Sequence, residues 1–156
     1  MRRSDREITD IEEIIKIIEK CDVCRLALSE DNVPYIVPLS FGLEYTDGNL
    51  VLYFHGAKEG RKLDIINKNP FACFEVDCSR KLIEADEACK FSTEYESVIG
   101  SGRISLCTEK PEKTNALKQF MKNYSKDKEF TFSDRELESV TVFRLNVAEV
   151  SGKRKL

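Results

Sequence analysis

The chain has no excess of either charge: 25 lysines and arginines face 28 aspartates and glutamates, a net charge of −3. Binding along a nucleic-acid backbone calls for a basic face, so this balance sets nucleic acid aside as the principal partner. Apolar runs are short as well. None approaches the ~20 residues needed to cross a bilayer, and the opening MRRSDREITDIEEIIKIIEK is charged throughout, without the apolar core of an export signal. The expectation is a cytoplasmic protein with no membrane partner. A GxGxxG fingerprint is missing, so any nicotinamide would visit rather than reside. Internal repeats and low-complexity linkers are missing too. With 156 residues, 41% of them hydrophobic, the chain suits a single domain over 1–156, since one core typically serves ~100–150 residues.

The six cysteines hold a single CxxC, Cys21-Asp-Val-Cys24. That spacing reads as a redox pair or as half a zinc site. Cys73, Cys78, Cys89 and Cys107 supply no second CxxC, and this one follows a helix and enters a strand, the reverse of a thioredoxin-like motif. No metal is expected, and small buried thiols are.

Ile8, Ile11, Ile14, Ile15 and Ile18 recur at helical spacing among charged residues, which predicts a helix over 8–20 with Thr9 or Asp10 as cap. Three strands follow at about 23–29, 34–44 and 49–55, joined by Glu30-Asp31-Asn32 and Thr46-Asp47-Gly48-Asn49; they predict an antiparallel meander. A short helix over about 60–68 stops before Pro70, and FACFEVD (71–77) is a strand. Residues 78–95 are polar and read as an excursion over the surface. A strand over 96–107 is broken by Gly100 and Gly102, a sign of a bulge or a close approach. KPEKTNALKQFMKN (110–123) reads as a helix with Leu117, Phe120 and Met121 on one face, and Ser133 caps a turn of helix in SDRELES. A last strand spans 140–150, with a shift of phase near Phe143. Six turn-linked antiparallel strands with peripheral helices predict a mainly β small barrel.

LVLYFHGAKEGRKLDIINKNP (50–70) gathers the only histidine, three cations and two glycines within eight residues. A phosphate wants positive charge and exposed N–H groups, and a helix N-terminus offers both. Gly56 and Gly60 admit a ligand without a Cβ in the way. Arg61 can grip two oxygens, while Lys58 and Lys62 act as point charges. A solvated basic turn beside a core histidine would show the same residues, so an anion site and a plain surface turn both stand.

Three stretches resemble the pyridoxamine-phosphate-oxidase-like flavoproteins, in particular the branch of the nitroimidazole-resistance proteins. They are CRLALSEDNVPYIVPLSFGLE (24–44), LYFHGAKEGRKLDIINKNPFACFEVD (52–77) and ACKFSTEYESVIGSGRISL (88–106). The resemblance implies a six-stranded split β-barrel that forms a homodimer and binds FMN at the subunit interface. It sets Val37, Pro38, Leu39 and Ser40 beside the flavin ring, and His55, Lys58, Arg61 and Lys62 around the ribityl phosphate and ring edge. Tyr95, Ser97 and Val98 would border the site from the partner subunit. His55 matches a position placed at the active site, which implies an FMN-dependent oxidoreductase acting on a small-molecule substrate, with reduction of a nitro group as the nearest activity. The C-terminus departs from the pattern of the oxidases proper, since EVSGKRKL holds arginine and lysine but no histidine. A non-catalytic flavin or haem binder with His55 as axial ligand, or an empty dimeric scaffold, is the alternative.

Overall fold

The computed structural model describes residues 3–125 and 127–155. Among the described residues, eight strands form one antiparallel sheet. They are β1 (Glu7–Ile8), β2 (Cys24–Glu30), β3 (Val33–Leu39), β4 (Gly42–Thr46), β5 (Asn49–Gly56), β6 (Phe71–Ile83), β7 (Ser92–Cys107) and β8 (Thr141–Lys155). Their order is β3-β2-β6-β7-β8-β5-β4, with β1 beside β8, so β3 and β4 are the two free edges of a split barrel. The helices are α1 (Ile11–Ile18), α2 (Arg61–Lys68), α3 (Lys110–Tyr124) and α4 (Asp134–Ser139). None of the described helices is long and apolar enough to cross a membrane.

The barrel closes on one core. Leu26, Leu52, Phe74, Val98, Phe143 and Leu145, from five strands, join Ile14, Ile17 and Ile18 of α1 in a single buried cluster. Each such side chain contributes about 1.5–3 kcal/mol on leaving water. A second, smaller cluster on the outer side of β5 and β8 holds Tyr53 and Val142 against Ala116 and Leu117 of α3. Apolar residues therefore face both sides of β8 near Phe143. Its register with β5 runs unbroken from Val142 to Asn146, so the expected shift of phase there is a change of neighbours and not a bulge.

Eight strands replace the expected six, for local reasons. Ile8 continues the helical spacing of α1, yet it pairs with Gly152 in β1, and the helix starts only where the Asp10 carboxylate accepts the Glu12 N–H at 2.9 Å. The expected strand over 34–44 divides at Ser40–Phe41 into β3 and β4. The three-strand meander is likewise two separate hairpins, β2–β3 and β4–β5, whose edges lie at opposite ends of the sheet. Both hairpins turn through two residues of positive φ, Asp31-Asn32 and Asp47-Gly48, the twist that suits a tight hairpin.

Most of the expected surface excursion over 78–95 is strand. β6 and β7 extend to Ile83 and back from Ser92, with an irregularity between Cys78 and Lys81. The expected irregularity at the glycines is present: the β7–β8 register shifts between Ser101 and Gly102, where a Cβ on Gly102 would overlap the Asn146 carbonyl oxygen. The α4 helix carries a capping box between Ser133 and Glu136. Of the cysteines, Cys21, Cys24 and Cys107 are buried as expected, whereas Cys73 and Cys89 are exposed and Cys78 is half-buried.

Candidate functional site

His55 lies near the end of β5, opposite Val142. Strand alternation sends Leu52 and Phe54 into the barrel and leaves Tyr53 and His55 on the side covered by α3. The imidazole stands edge-to-face with Phe120, centroids 4.5 Å apart at 72°. His55 is exposed on its open side, yet desolvation on the side packed by the protein lowers its pKa below the ordinary 6.5. The ring is therefore mainly neutral at pH 7, and its protonated form is a stronger acid than free imidazole.

Phe120 reaches His55 because α3 sits unusually close to the sheet. A Cβ on Gly42 would overlap the Phe120 backbone, so only glycine admits the helix at this depth. The Phe41 N–H donates to Tyr124 Oη at 3.0 Å, and Asn123 Nδ2 donates to the Phe41 carbonyl at 3.1 Å. Both backbone groups of Phe41 are thus satisfied by α3 side chains in place of a neighbouring strand, which is why the run over 34–44 breaks there. Tyr124 Oη in turn donates to the Asp22 carbonyl at 3.0 Å, and its ring lies 5.1 Å from that of Phe120.

The α2 helix begins at Gly60, whose φ of +136° suits glycine. Leu63 and Asp64 N–H groups donate to its carbonyl at 2.8 and 3.3 Å, and no side chain caps the terminus. Lys62 folds back over the end of β5: its amine would lie 3.2 Å from a Cβ placed on Gly56. Arg61 leaves in another direction, its guanidinium carbon 4.8 Å from the Tyr35 ring centroid on β3. Lys58 is exposed. Among the described residues none of Lys58, Arg61 and Lys62 has a carboxylate within 4.0 Å, whereas nearby Lys68 is paired with Glu30 at 2.5 Å. Three cations without a carboxylate within 4.0 Å thus lie at or beside an uncapped helix end, on diverging side chains and with Glu59 and Asp64 among them; such an end favours an anion.

The neighbouring strand β3 is a sheet edge. Val37 and Leu39 pack inward against the core, while Pro38 and Ser40 are exposed. Side-chain contact from this stretch falls to Pro38 and Ser40, while the backbone groups of Val37 and Leu39 face β2. Proline has no N–H, so Pro34 and Pro38 mark positions whose backbone turns away from β2 and toward the open edge. On the outward face beside Pro38, Arg25 bridges Glu75 at 2.9 Å and Asp77 at 2.7 Å.

Tyr95, Ser97 and Val98 stand apart. They pair with Lys155, Lys153 and Gly152 of β8, about ten residues along the strand from Val142 opposite His55, roughly 30 Å at ~3.3 Å per residue. Within one chain they do not join the His55–Lys62 group. Val98 is buried in the core and could border a site only through its backbone. The C-terminal Arg154 is also engaged, donating to Glu96 at 2.7 Å and to Glu13 at 3.0 Å. Sequence reasoning missed Gly42, Tyr35 and the pair Phe120 and Tyr124. The last two are aromatic at i, i+4 spacing on α3, a signal that was present.

Among curated proteins no sequence matches the chain. Solved structures do. A candidate 5-nitroimidazole antibiotic resistance protein from Bacteroides thetaiotaomicron superposes with a TM-score of 0.82 at 29% identity, over 95% of this chain and 86% of that one. A flavocytochrome from Azotobacter vinelandii gives 0.81 at 23% identity, over 100% and 72%. An FAD- and heme-binding protein from Mycobacterium smegmatis gives 0.82 at 18% identity, over 96% and 73%. The last two likenesses speak to the fold alone. The family profile described as pyridoxamine 5′-phosphate oxidase matches residues 10–154, and with that match spanning nearly the whole length, the chain belongs to the pyridoxamine 5′-phosphate oxidase family.

Proposed function

We propose that this protein is a homodimeric flavoprotein that binds FMN between the N-terminus of α2 and the free edge of β3, and that it is an oxidoreductase acting on a small molecule, with nitro-group reduction as the nearest named activity. Lys58, Arg61 and Lys62 carry the proposal, because they lack carboxylate partners within 4.0 Å and lie in or just before the first turn of a helix that no side chain caps. Such a corner fits a phosphate monoester better than a neutral ligand. Family membership supports a flavin, and the cations at α2 are what favour FMN within that class.

A bound flavin would supply the electron pair. The protein's own groups would do the rest. The α2 N–H groups, Arg61 and Lys62 hold the phosphate, and the Ser40 hydroxyl and the open backbone of β3 meet the ring edge. His55, mainly neutral yet able to carry a proton, contacts the substrate and delivers protons that nitro reduction consumes. A partner subunit fits the outward face of the sheet, where Ile36, Phe71 and Ile99 are 63, 63 and 56% exposed; Tyr95 and Ser97 would then reach the site from that partner. Arg154, engaged with Glu96 and Glu13, is not free to hold a substrate phosphate, which favours a substrate other than pyridoxamine 5′-phosphate.

A visible spectrum of freshly purified protein, repeated after addition of FMN and desalting, tests this directly. A retained flavin spectrum is expected. A Soret band would make His55 an axial ligand and the protein a haem binder, and a featureless spectrum that FMN does not restore would remove the cofactor and the enzyme together.

A further inference from the structure

Glu44 is a carboxylate whose partners are uncharged. It lies half-buried on β4, a free edge of the sheet, and among the described residues no lysine or arginine comes within 4.0 Å of it. Tyr53 Oη donates to Glu44 Oε2 at 2.5 Å, the short contact of a charge-assisted bond. Gln119 Nε2 donates to Glu44 Oε1 at 3.1 Å. Tyr53 is 5% exposed and shares with His55 the face of β5 that α3 covers. Gln119 directly precedes Phe120, whose ring packs on the imidazole. The other ties of α3 to the sheet region lie toward its ends: Glu112 pairs with Arg144 at 3.0 Å, and Asn123 and Tyr124 hold Phe41. Among the described residues, the Gln119–Glu44 bond is the one hydrogen bond from the middle of α3 to the sheet.

We infer that Glu44 is a positioning residue for His55: it fixes Gln119 and thereby sets Phe120 against the imidazole, an inference that rests on the reading of His55 as the proton donor. An edge-to-face contact tolerates ring centroids ~4.5–7 Å apart, so packing alone leaves Phe120 room to slide. A hydrogen bond on the adjoining residue is short and directional and removes that room. Each oxygen of Glu44 serves a different element, Oε2 the Tyr53 phenol of β5 and Oε1 the Gln119 amide of α3. Rotating the carboxylate would release both. The titratable groups about the imidazole are Lys62, folded over neighbouring Gly56, Tyr53 on the same strand, and Tyr124 behind Phe120. Arg144, across from Tyr53 on β8, is committed to Glu112. Desolvation is what lowers the His55 pKa, so the placement of Phe120 is the lever through which Glu44 acts.

Two consequences of losing Glu44 carry opposite signs. Removal of a negative charge lowers the pKa of a nearby imidazole, whereas loosening Phe120 wets the packed side of the ring and raises it toward 6.5. An NMR titration of the single histidine in the full chain separates them, using Glu44→Ala, Glu44→Gln and Gln119→Ala. Both alanine variants should raise the pKa, in the direction of Phe120→Ala. Glu44→Gln should keep the native value, because its amide can still accept from Tyr53 and donate to the Gln119 side-chain oxygen. The pH limb of turnover that depends on His55 should move in the same order. A lowered or unmoved pKa in the alanine variants, or a Glu44→Gln titration that matches Glu44→Ala, would overturn the assignment. Gln119→Ala places a good helix former on α3 and carries the test if Glu44→Ala does not fold. The titration needs neither flavin nor turnover, so a featureless visible spectrum would remove the cofactor and leave this result readable.

Discussion

His55 and Phe120 stand edge-to-face with ring centroids 4.5 Å apart, so a helix far along the chain decides how wet the only imidazole is. Replacing Phe120 by alanine should open the packed side of the already exposed ring and raise the His55 pKa toward 6.5. With one histidine in the chain, an NMR titration reads it without assignment. A stability loss of about 3 kcal/mol should accompany it, and an unchanged pKa would mean that Phe120 is not what desolvates the ring.

Proton delivery by His55 has a definite sign. Because its pKa lies below 6.5, the His55-dependent part of turnover should fall as pH rises through that lowered value. His55→Ala should remove this limb of the pH profile. A profile with the same limb in both proteins would assign the proton to another group.

Gly42→Ala sets a Cβ against the Phe120 backbone. A helix backbone cannot yield as a flexible side chain can, so we expect a loss of about 3 kcal/mol in urea denaturation, the upper end for overpacking. The His55 resonance should shift with it, since the same helix carries Phe120.

Glu96 is 2% exposed. Burial pushes its carboxyl up, but hydrogen bonds from Lys20, Ser79 and Arg154 outweigh burial and hold the pKa at about 2. A depressed carboxylate stabilises the fold above its unfolded value of 4.5, and that contribution fades as pH falls from there to about 2. Its size is about 2–3 kcal/mol. Glu96→Gln should flatten the stability curve across this window; an equally steep acid limb in the variant would place the sensitive group elsewhere.

FMN should bind more tightly than riboflavin, and the difference should shrink with added salt. Arg61→Ala combined with Lys62→Ala should cost FMN about tenfold per lost contact and leave riboflavin unchanged. Equal affinities for the two flavins in the unmutated protein would remove the phosphate from this corner.

Local signals carried much of the fold. The hairpins were legible because Asp31-Asn32 and Asp47-Gly48 favour the positive φ they adopt, and α2, α3 and α4 lie within a residue or two of their expected bounds. The extended arm of β6 and β7 was not, because beyond Cys78 it leaves the core and shows no apolar alternation to read. Nor was the break at Phe41, whose cause is a pair of side chains more than eighty residues away. At the candidate site, glycines and cations announced the corner at α2, while the depth of α3, which settles the surroundings of His55, depends on a missing Cβ at Gly42.

The prolines at positions 34 and 38 have one more effect. A bare sheet edge is a template on which another chain can add a strand and start a fibril. On β3 that template lacks two of its donors, so a small ligand can use what remains while a second polypeptide cannot zip along it. The protein can therefore leave an edge open at high concentration without polymerising through it.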